Sequence, residues 1–312
     1  MDRLRAGWWS VLALVAVALS ACGGGGDQSA ATAVGQAGFP ATVAAANGGV
    51  RIPQQPRRIV SLSATATEDL YAAGAGGQVV AVDSYSTYPP KAPRTKLSGY
   101  EPNVEAIANY RPDLVVVAED TNHIVPQLGK LGIPVLVEPP ARDLKVAYSE
   151  IEQLGEATGH PDGSRHTVAK MRRQIAAIVA SVPKPRNPLS VYHELDQTYY
   201  SATSHTFIGQ IYTLLGLTNI ADEARGSGEY PQLSAEYVIA SDPDLIVLAD
   251  TVCCKQSVAT VGARPGWNEI AAVRDGYVVP VDDSIASQWG PRIVFFVRKV
   301  ADAVKGLEEQ SG

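Results

Sequence analysis

Three cysteines serve 312 residues, and two of them, Cys253 and Cys254, stand side by side. That excludes a disulfide framework of the kind that holds small secreted domains together, so the fold must rest on a packed core. Adjacent cysteines bridge only through a strained ring, closer than the usual Cα separation, so the pair is either two loop thiols or a vicinal disulfide. As a metal site it has no nearby histidine to complete a tetrahedral set. Motifs of catalysis are also missing. There is no Gly-x-Ser-x-Gly elbow, no His-Glu-x-x-His pair and no Walker-type phosphate loop, which argues against ATP hydrolysis by this chain. Lysine and arginine form no cluster, and a net charge of −6 speaks against nucleic acid. No apolar run reaches the roughly twenty residues of a confident membrane span.

What is present begins with targeting. Arg3 and Arg5 precede the short apolar run Trp8 to Leu19, which ends at Leu19-Ser20-Ala21-Cys22 and four glycines. This resembles a bacterial lipoprotein signal at residues 1–21, cleaved before a cysteine that then carries lipid. Simple secretory cleavage after Ala21 is the alternative; both readings export the protein. Cys22 is therefore the expected lipidation site, and residues 22–56, rich in Gly, Ala, Ser, Gln and Thr, are expected to be a flexible tether. Without Arg3, Arg5 and Asp2 the exported chain is one charge more negative, a moderately acidic soluble surface.

A fourteen-residue pattern occurs twice. Glu105 to Ala118 reads EAIANYRPDLVVVA, and Glu236 to Ala249 reads EYVIASDPDLIVLA. Each copy predicts a short helix, a turn at Pro-Asp and a fully buried strand. Each Glu follows a candidate N-cap, Asn103 or Ser234, by two residues, so both carboxylates crown helix N-termini. Around the copies, strands are predicted at 58–62, 79–82, 133–137, 189–193 and 278–281. Helices are predicted at 65–73, 144–158, 164–182, 207–215, near 267–273 and at 291–307. This is an α/β chain of two lobes, each a mainly parallel sheet flanked by helices. The expected bounds are 57–160 for the N-terminal lobe, 161–184 for a connecting helix and 185–312 for the C-terminal lobe. A helix of about five turns spans nearly 30 Å, enough to join the lobes.

Two further constellations carry chemistry. His193, Glu194 and Asp196 sit at the end of a predicted strand, where catalytic groups of α/β folds occur, or where polar residues simply edge a cleft. His123, His193 and His205 fall in lobe-edge regions, as a metal receptor would need.

Several stretches together resemble a known family. They are Ile59-Val60-Ser61-Leu62 with Thr67-Glu68, and Asp83 to Pro90. Asn103-Val104-Glu105 with Arg111-Pro112-Asp113-Leu114 is a third. Phe207-Ile208 with Gly216 and Asn219-Ile220, Tyr230 to Glu236, Pro265-Gly266-Trp267 and Gly290-Pro291-Arg292-Ile293 complete the set. Over residues 57–306 the chain resembles the helical-backbone class of substrate-binding proteins of ABC importers, the cobalamin and ferric-siderophore type, and within it the cobalamin-binding members.

The resemblance implies two lobes joined by one long interdomain helix, with a small-molecule ligand in the cleft between them. It implies a non-enzymatic monomer, lipid-anchored outside the cell membrane or in the periplasm, that delivers its cargo to an ABC permease and its ATPase. Glu105 and Glu236 are the expected permease-docking residues, since two carboxylates at fixed separation suit a two-fold pair of subunits. Complementing the helix dipole is the plainer role, worth about 0.3–1 kcal/mol. Aromatic residues are expected to line the cleft, because flat rings bury large area at low entropy. Tyr85, Tyr88, Tyr100, Tyr230 and Trp289 are the ligand-binding candidates, whereas Trp267, behind Pro-Gly at a helix start, reads as structural. Where cobalamin-binding members carry tryptophans, this chain has Tyr100, Tyr230 and a replacement around Ala118 to Asp120. The cargo is therefore expected to be a corrinoid, or else an iron chelate such as a ferric siderophore or haem. A metal-ion receptor and a secreted hydrolase are the remaining alternatives. No cofactor is expected.

Overall fold

A computed structural model describes residues 38–184, 187–224 and 228–310. The expected signal peptide, Cys22 and the first part of the tether lie outside them. The rest of the expected tether holds a surprise. Residues 41–52 form an antiparallel hairpin, β1 (Ala41–Ala45) and β2 (Gly48–Ile52). Ala46-Asn47 supplies the turn, and Gly48 leaves it at φ 98°, a backbone angle that only glycine takes without strain. Val43 and Ile52 are fully buried in the N-terminal core.

The N-terminal lobe runs β3 (Ile59–Leu62), α1 (Ala64–Ala73), β4 (Val79–Val82), α2 (Val104–Ala108), β5 (Leu114–Val117), α3 (Ile124–Lys130) and β6 (Val135–Val137). Its sheet has the order β4-β3-β5-β6, all parallel. The edge strand β6 is covered by the hairpin: Ala46 N–H donates to the Val137 carbonyl, and the Asn47 amide exchanges bonds with Val135 and Val137. An edge paired in this way offers no template to another chain.

Two helices follow, α4 (Leu144–Thr158) and α5 (Pro161–Ala180). α5 starts at the expected bound of the connecting helix, three residues before the helical spacing at 164–182 begins, with Pro161 in its first turn, where the missing N–H costs nothing. Its buried stripe, Val168, Met171, Ile175 and Ile178, belongs to the C-terminal core. At its start Gly163 lies so close to Ala73 at the end of α1 that a β-carbon would collide with the Ala73 carbonyl. The helix thus runs from one lobe to the other. α4 shares the crossing, with Tyr148 and Ile151 in the C-terminal core and Leu154 and Ala157 in the N-terminal one.

The C-terminal lobe runs β7 (Leu189–Glu194), α6 (Phe207–Leu214), β8 (Leu217–Asn219), α7 (Ala235–Ser241) and β9 (Leu245–Leu248). It continues with α8 (Val258–Gly262), α9 (Ala271–Arg274), β10 (Val278–Pro280), α10 (Asp283–Ala286) and α11 (Ile293–Gln310). The order β10-β9-β7-β8, again parallel, is the same topology as the first sheet. Trp267, fully buried under this sheet, is structural.

The repeated pattern occupies equivalent places in the two lobes. Asn103 and Ser234 cap α2 and α7 through their side chains. The Asp of each Pro-Asp-Leu ties its strand to the first strand of the lobe. Asp113 accepts the N–H groups of Arg57 and Arg58, both at 2.8 Å. Asp244 accepts the Ser190 N–H at 2.7 Å and its hydroxyl at 2.8 Å. Glu105 and Glu236 are exposed and hold no part of either sheet. The two acids of the pattern should therefore separate in urea denaturation. Asp113→Ala or Asp244→Ala should each cost about 1–3 kcal/mol, the cost of orphaned donors, while Glu105→Ala and Glu236→Ala should each stay within about 1 kcal/mol.

Candidate functional site

In a parallel sheet, ligands bind beyond the carboxyl ends of the strands, where the strand order reverses. In the N-terminal lobe that point lies between β3 and β5. A cavity of about 460 Å³ opens there, lined by Leu62, Ser63 and Thr65 after β3, Asp83 after β4, and Ala118 and Glu119 after β5. Its opposite wall comes from the C-terminal lobe: Asp283 and Ser284 on α10, then Ser287, Gln288 and Trp289. The cleft between the lobes is thus a real cavity.

Buried hydroxyls hold its N-terminal wall. Thr67 Oγ1 lies 2.9 Å from both Ser61 Oγ and Ser86 Oγ, and Ser86 Oγ donates to Asp83 Oδ1 at 2.5 Å. Burial raises the pKa of Asp83, opposed by its bonds from Ser86. This network anchors the loop carrying Tyr85. Gly99 packs against the Leu62 carbonyl with no room for a β-carbon, which brings Tyr100 beside Tyr85. The two rings stand edge to face at 5.3 Å between centroids, 60% and 73% exposed. Trp289 completes the aromatic set, its indole N–H donating to Glu150 Oε2 at 2.8 Å.

Two of the five aromatic candidates lie outside this cavity. Tyr88 lies against the Arg292 guanidinium, 4.1 Å from its ring centroid, and lines a separate groove between α1, α5 and α11. The Pro89-Pro90 break turns the loop away from the cleft after Ser86. Tyr230 stands half exposed on the C-terminal lobe but is not part of the cavity wall. In their place the structure brings in Glu119, Asp83 and Asp283. These lie just past a strand or at the start of a short helix, a position rule that the sequence offered.

The histidine constellation does not assemble. His193 is fully buried, its Nδ1 2.5 Å from the Tyr212 hydroxyl and its ring edge-on to Phe296. Burial lowers its pKa to about 3, so the imidazole stays neutral in the core. Its neighbour Glu194 forms a two-bond pair with Arg264 at 2.6 Å. His123 and His205 are exposed. Among the described residues no group of three or more His, Cys, Asp or Glu side chains is arranged to hold a metal. Cys253 and Cys254 are joined as a vicinal disulfide. Their turn is fastened to the cleft wall, because Val252 and Cys253 donate their N–H groups to the Asp283 carboxylate at 2.8 Å.

Within the repeat, Glu119 and Asp250 occupy the same position, one residue past the closing alanine. In the N-terminal lobe Glu119 faces the cavity. In the C-terminal lobe Asp250 is fully buried beside Glu194 and Arg264, and burial with the Glu194 carboxylate pushes its pKa up. That crevice is filled by a charge network.

The comparisons with known proteins agree with this geometry. A model of the periplasmic binding protein family matches residues 59–285. The chain belongs to the periplasmic binding protein family. The family is one of solute-binding proteins, and its members work outside the cytoplasm. An uncharacterised ABC transporter substrate-binding lipoprotein of Bacillus subtilis, YvrC, is 32% identical, covering 97% of this chain and 98% of the relative. A cobalamin-binding protein of Halobacterium salinarum is also 32% identical, over 85% of this chain and 74% of the relative. The solved structure of the haem-binding protein RhuT of Roseiflexus superposes with a TM-score of 0.69 at 26% identity, covering 81% of this chain and 99% of that one. The resemblance drawn from the sequence and the two-lobed α/β fold both stand. Among the described residues no helix is long and apolar enough to cross a membrane.

The filled crevice makes a stability prediction. Arg264→Leu leaves Glu194 charged and unpaired in the core, and should cost about 3–5 kcal/mol in chemical denaturation.

Proposed function

We propose that this protein is the substrate-binding subunit of an ABC importer, capturing a corrinoid between its lobes and handing it to the permease. One observation carries the corrinoid reading: among the residues that line the cleft there is no lysine, arginine or histidine. Haem presents two propionates, and many ferric siderophores are anionic; both call for cationic partners in a cleft. A corrinoid presents a ring of neutral amides around a flat macrocycle. The Tyr85–Tyr100 pair and Trp289 offer that macrocycle apolar faces, while Ser63, Thr65, Ser287 and Gln288 offer its amides hydrogen bonds. The cobalamin-binding relative supports the same choice. Export with a lipid on Cys22 completes the reading, and the lipoprotein YvrC supports it.

The direct test is retention. The protein is incubated with cobalamin, cobinamide, haem and ferric siderophores, desalted, and its absorbance spectrum recorded. Corrinoids are expected to stay bound; retention of haem or a siderophore with loss of both corrinoids would replace the ligand.

Docking follows from the exposed acids of the repeat. Glu105 and Glu236 each sit at the second position of a short helix. The Glu236 pKa is lowered by its own backbone N–H and by the Ser234 hydroxyl, so its carboxylate is ready for a cationic partner. Replacing both with alanine should leave ligand retention intact and stop uptake in cells. Unchanged uptake would reduce both residues to helix caps.

A further inference from the structure

The loop Trp289–Arg292 of the C-terminal lobe rests on carboxyl groups of the N-terminal lobe. Arg292 donates from its backbone N–H to Glu68 Oε1 at 2.7 Å and from Nε to Glu68 Oε2 at 2.6 Å. Gly290 lies so near that an added β-carbon would stand 3.1 Å from Glu68 and 3.3 Å from Asp69 Oδ1. Trp289 is tied to Glu150 on α4. Glu138, just past β6, completes the group of acids. Glu68, Asp69, Glu138 and Glu150 are each at least 95% buried, and Arg292 supplies the positive charge that faces them.

One ion pair neutralises one carboxylate. Three remain in a space that water barely reaches, and Asp69 Oδ1 is buried without a hydrogen-bond partner. Ionising all three there is costly, so the packed arrangement favours keeping their protons.

We propose that Glu150, backed by Asp69 and Glu138, is the positioning residue for Trp289, and that the protonated carboxyls form a latch between the lobes. With the acids neutral, the loop packs dry against α1 and α4, and Trp289 is presented to the cleft at a set angle. When they ionise, water must enter, the side chains turn outward and the indole loses its support. That this alters cargo binding rests on the binding function proposed above; the latch itself does not.

The titration behaviour supports the geometry. Burial, helped by Glu150, raises Glu138 from 4.5 to about 8. Burial raises Glu150 to about 7, opposed by its bond from Trp289. Asp69 is raised well above its usual range, first by burial and then by Glu68, Glu150 and Glu138. These folded-state values exceed the unfolded ones. The stability contributed is therefore full below the ordinary carboxyl value of 4.5, and is withdrawn as pH climbs from there to about 7 to 8, where the folded groups have also ionised.

The test follows tryptophan emission of the full chain, without ligand, from about pH 6 to pH 9, as a difference against Trp289→Phe. The wild type should shift to the red with a midpoint between about 7 and 8. Glu138→Gln with Glu150→Gln keeps the shape and the acceptor for the indole but cannot ionise, so its curve should be flat. Glu150→Leu should be red-shifted at every pH. A flat wild-type curve, or a double glutamine variant that keeps the wild-type curve, overturns the latch. In a second arm, corrinoid affinity should be about tenfold weaker at pH 9 than at pH 6 in the wild type and unchanged in the double variant. Equal affinity at both pH values removes the link from latch to cargo. A protein that retains no corrinoid even at pH 6 sinks the ligand reading, and the emission curves then decide the latch alone.

Discussion

Glu68 and Arg292 meet across the two lobes from positions 224 residues apart, and the cleft depends on that meeting. The pair lies behind the cavity wall, largely out of water, where one bond from the guanidinium and one from the Arg292 backbone N–H fix both carboxylate oxygens, a strong and directional contact. It holds the loop that carries Ser287, Gln288 and Trp289 against the lobe that carries Tyr85 and Tyr100. Two crossing helices act in the same direction. α4 and α5 each place residues in the C-terminal core while their shared turn sits at the end of α1. Lobes joined by packed helices and a buried ion pair form a cleft of set width.

The two lobes have one topology and opposite uses for it. Each has a crevice at the reversal of strand order. In the N-terminal lobe the crevice is open, and Glu119 faces it. In the C-terminal lobe the equivalent Asp250 is buried in a network with Glu194, Arg264 and Tyr192. The same backbone plan therefore yields one half of a binding site and one closed core. What decides between them is a long arginine returning from the end of α8 to fill the space.

Much of this was legible in the chain. Buried parallel strands announce themselves as unbroken Val, Ile and Leu runs, and β5 and β9 did so twice in one pattern. The helix caps were legible because Asn103 and Ser234 precede their apolar stretches. The hairpin at 41–52 was missed because its composition matches a linker, although Asn47-Gly48 is a strong turn signal between residues of alternating burial. The resemblance places Tyr88 and Tyr230 at the cleft, yet a residue's place along the chain does not say which way its side chain turns. Cation–π contact with Arg292 takes Tyr88 to another face. A strand end is where His193 would serve catalysis; Tyr212 and Phe296, distant in sequence, pack against it and bury it.

By itself the sequence determined the class, the two-fold repetition, most of the strands and helices, and the placing of one carboxylate at the start of each repeat's helix. These are local matters, set by periodicity, capping and turn chemistry over a few residues. The tertiary structure alone decided which aromatics share a cavity, which carboxylates are buried together, and that the cleft is free of basic side chains. Those properties depend on distances between residues tens to hundreds of positions apart, and only the packed fold sets such distances.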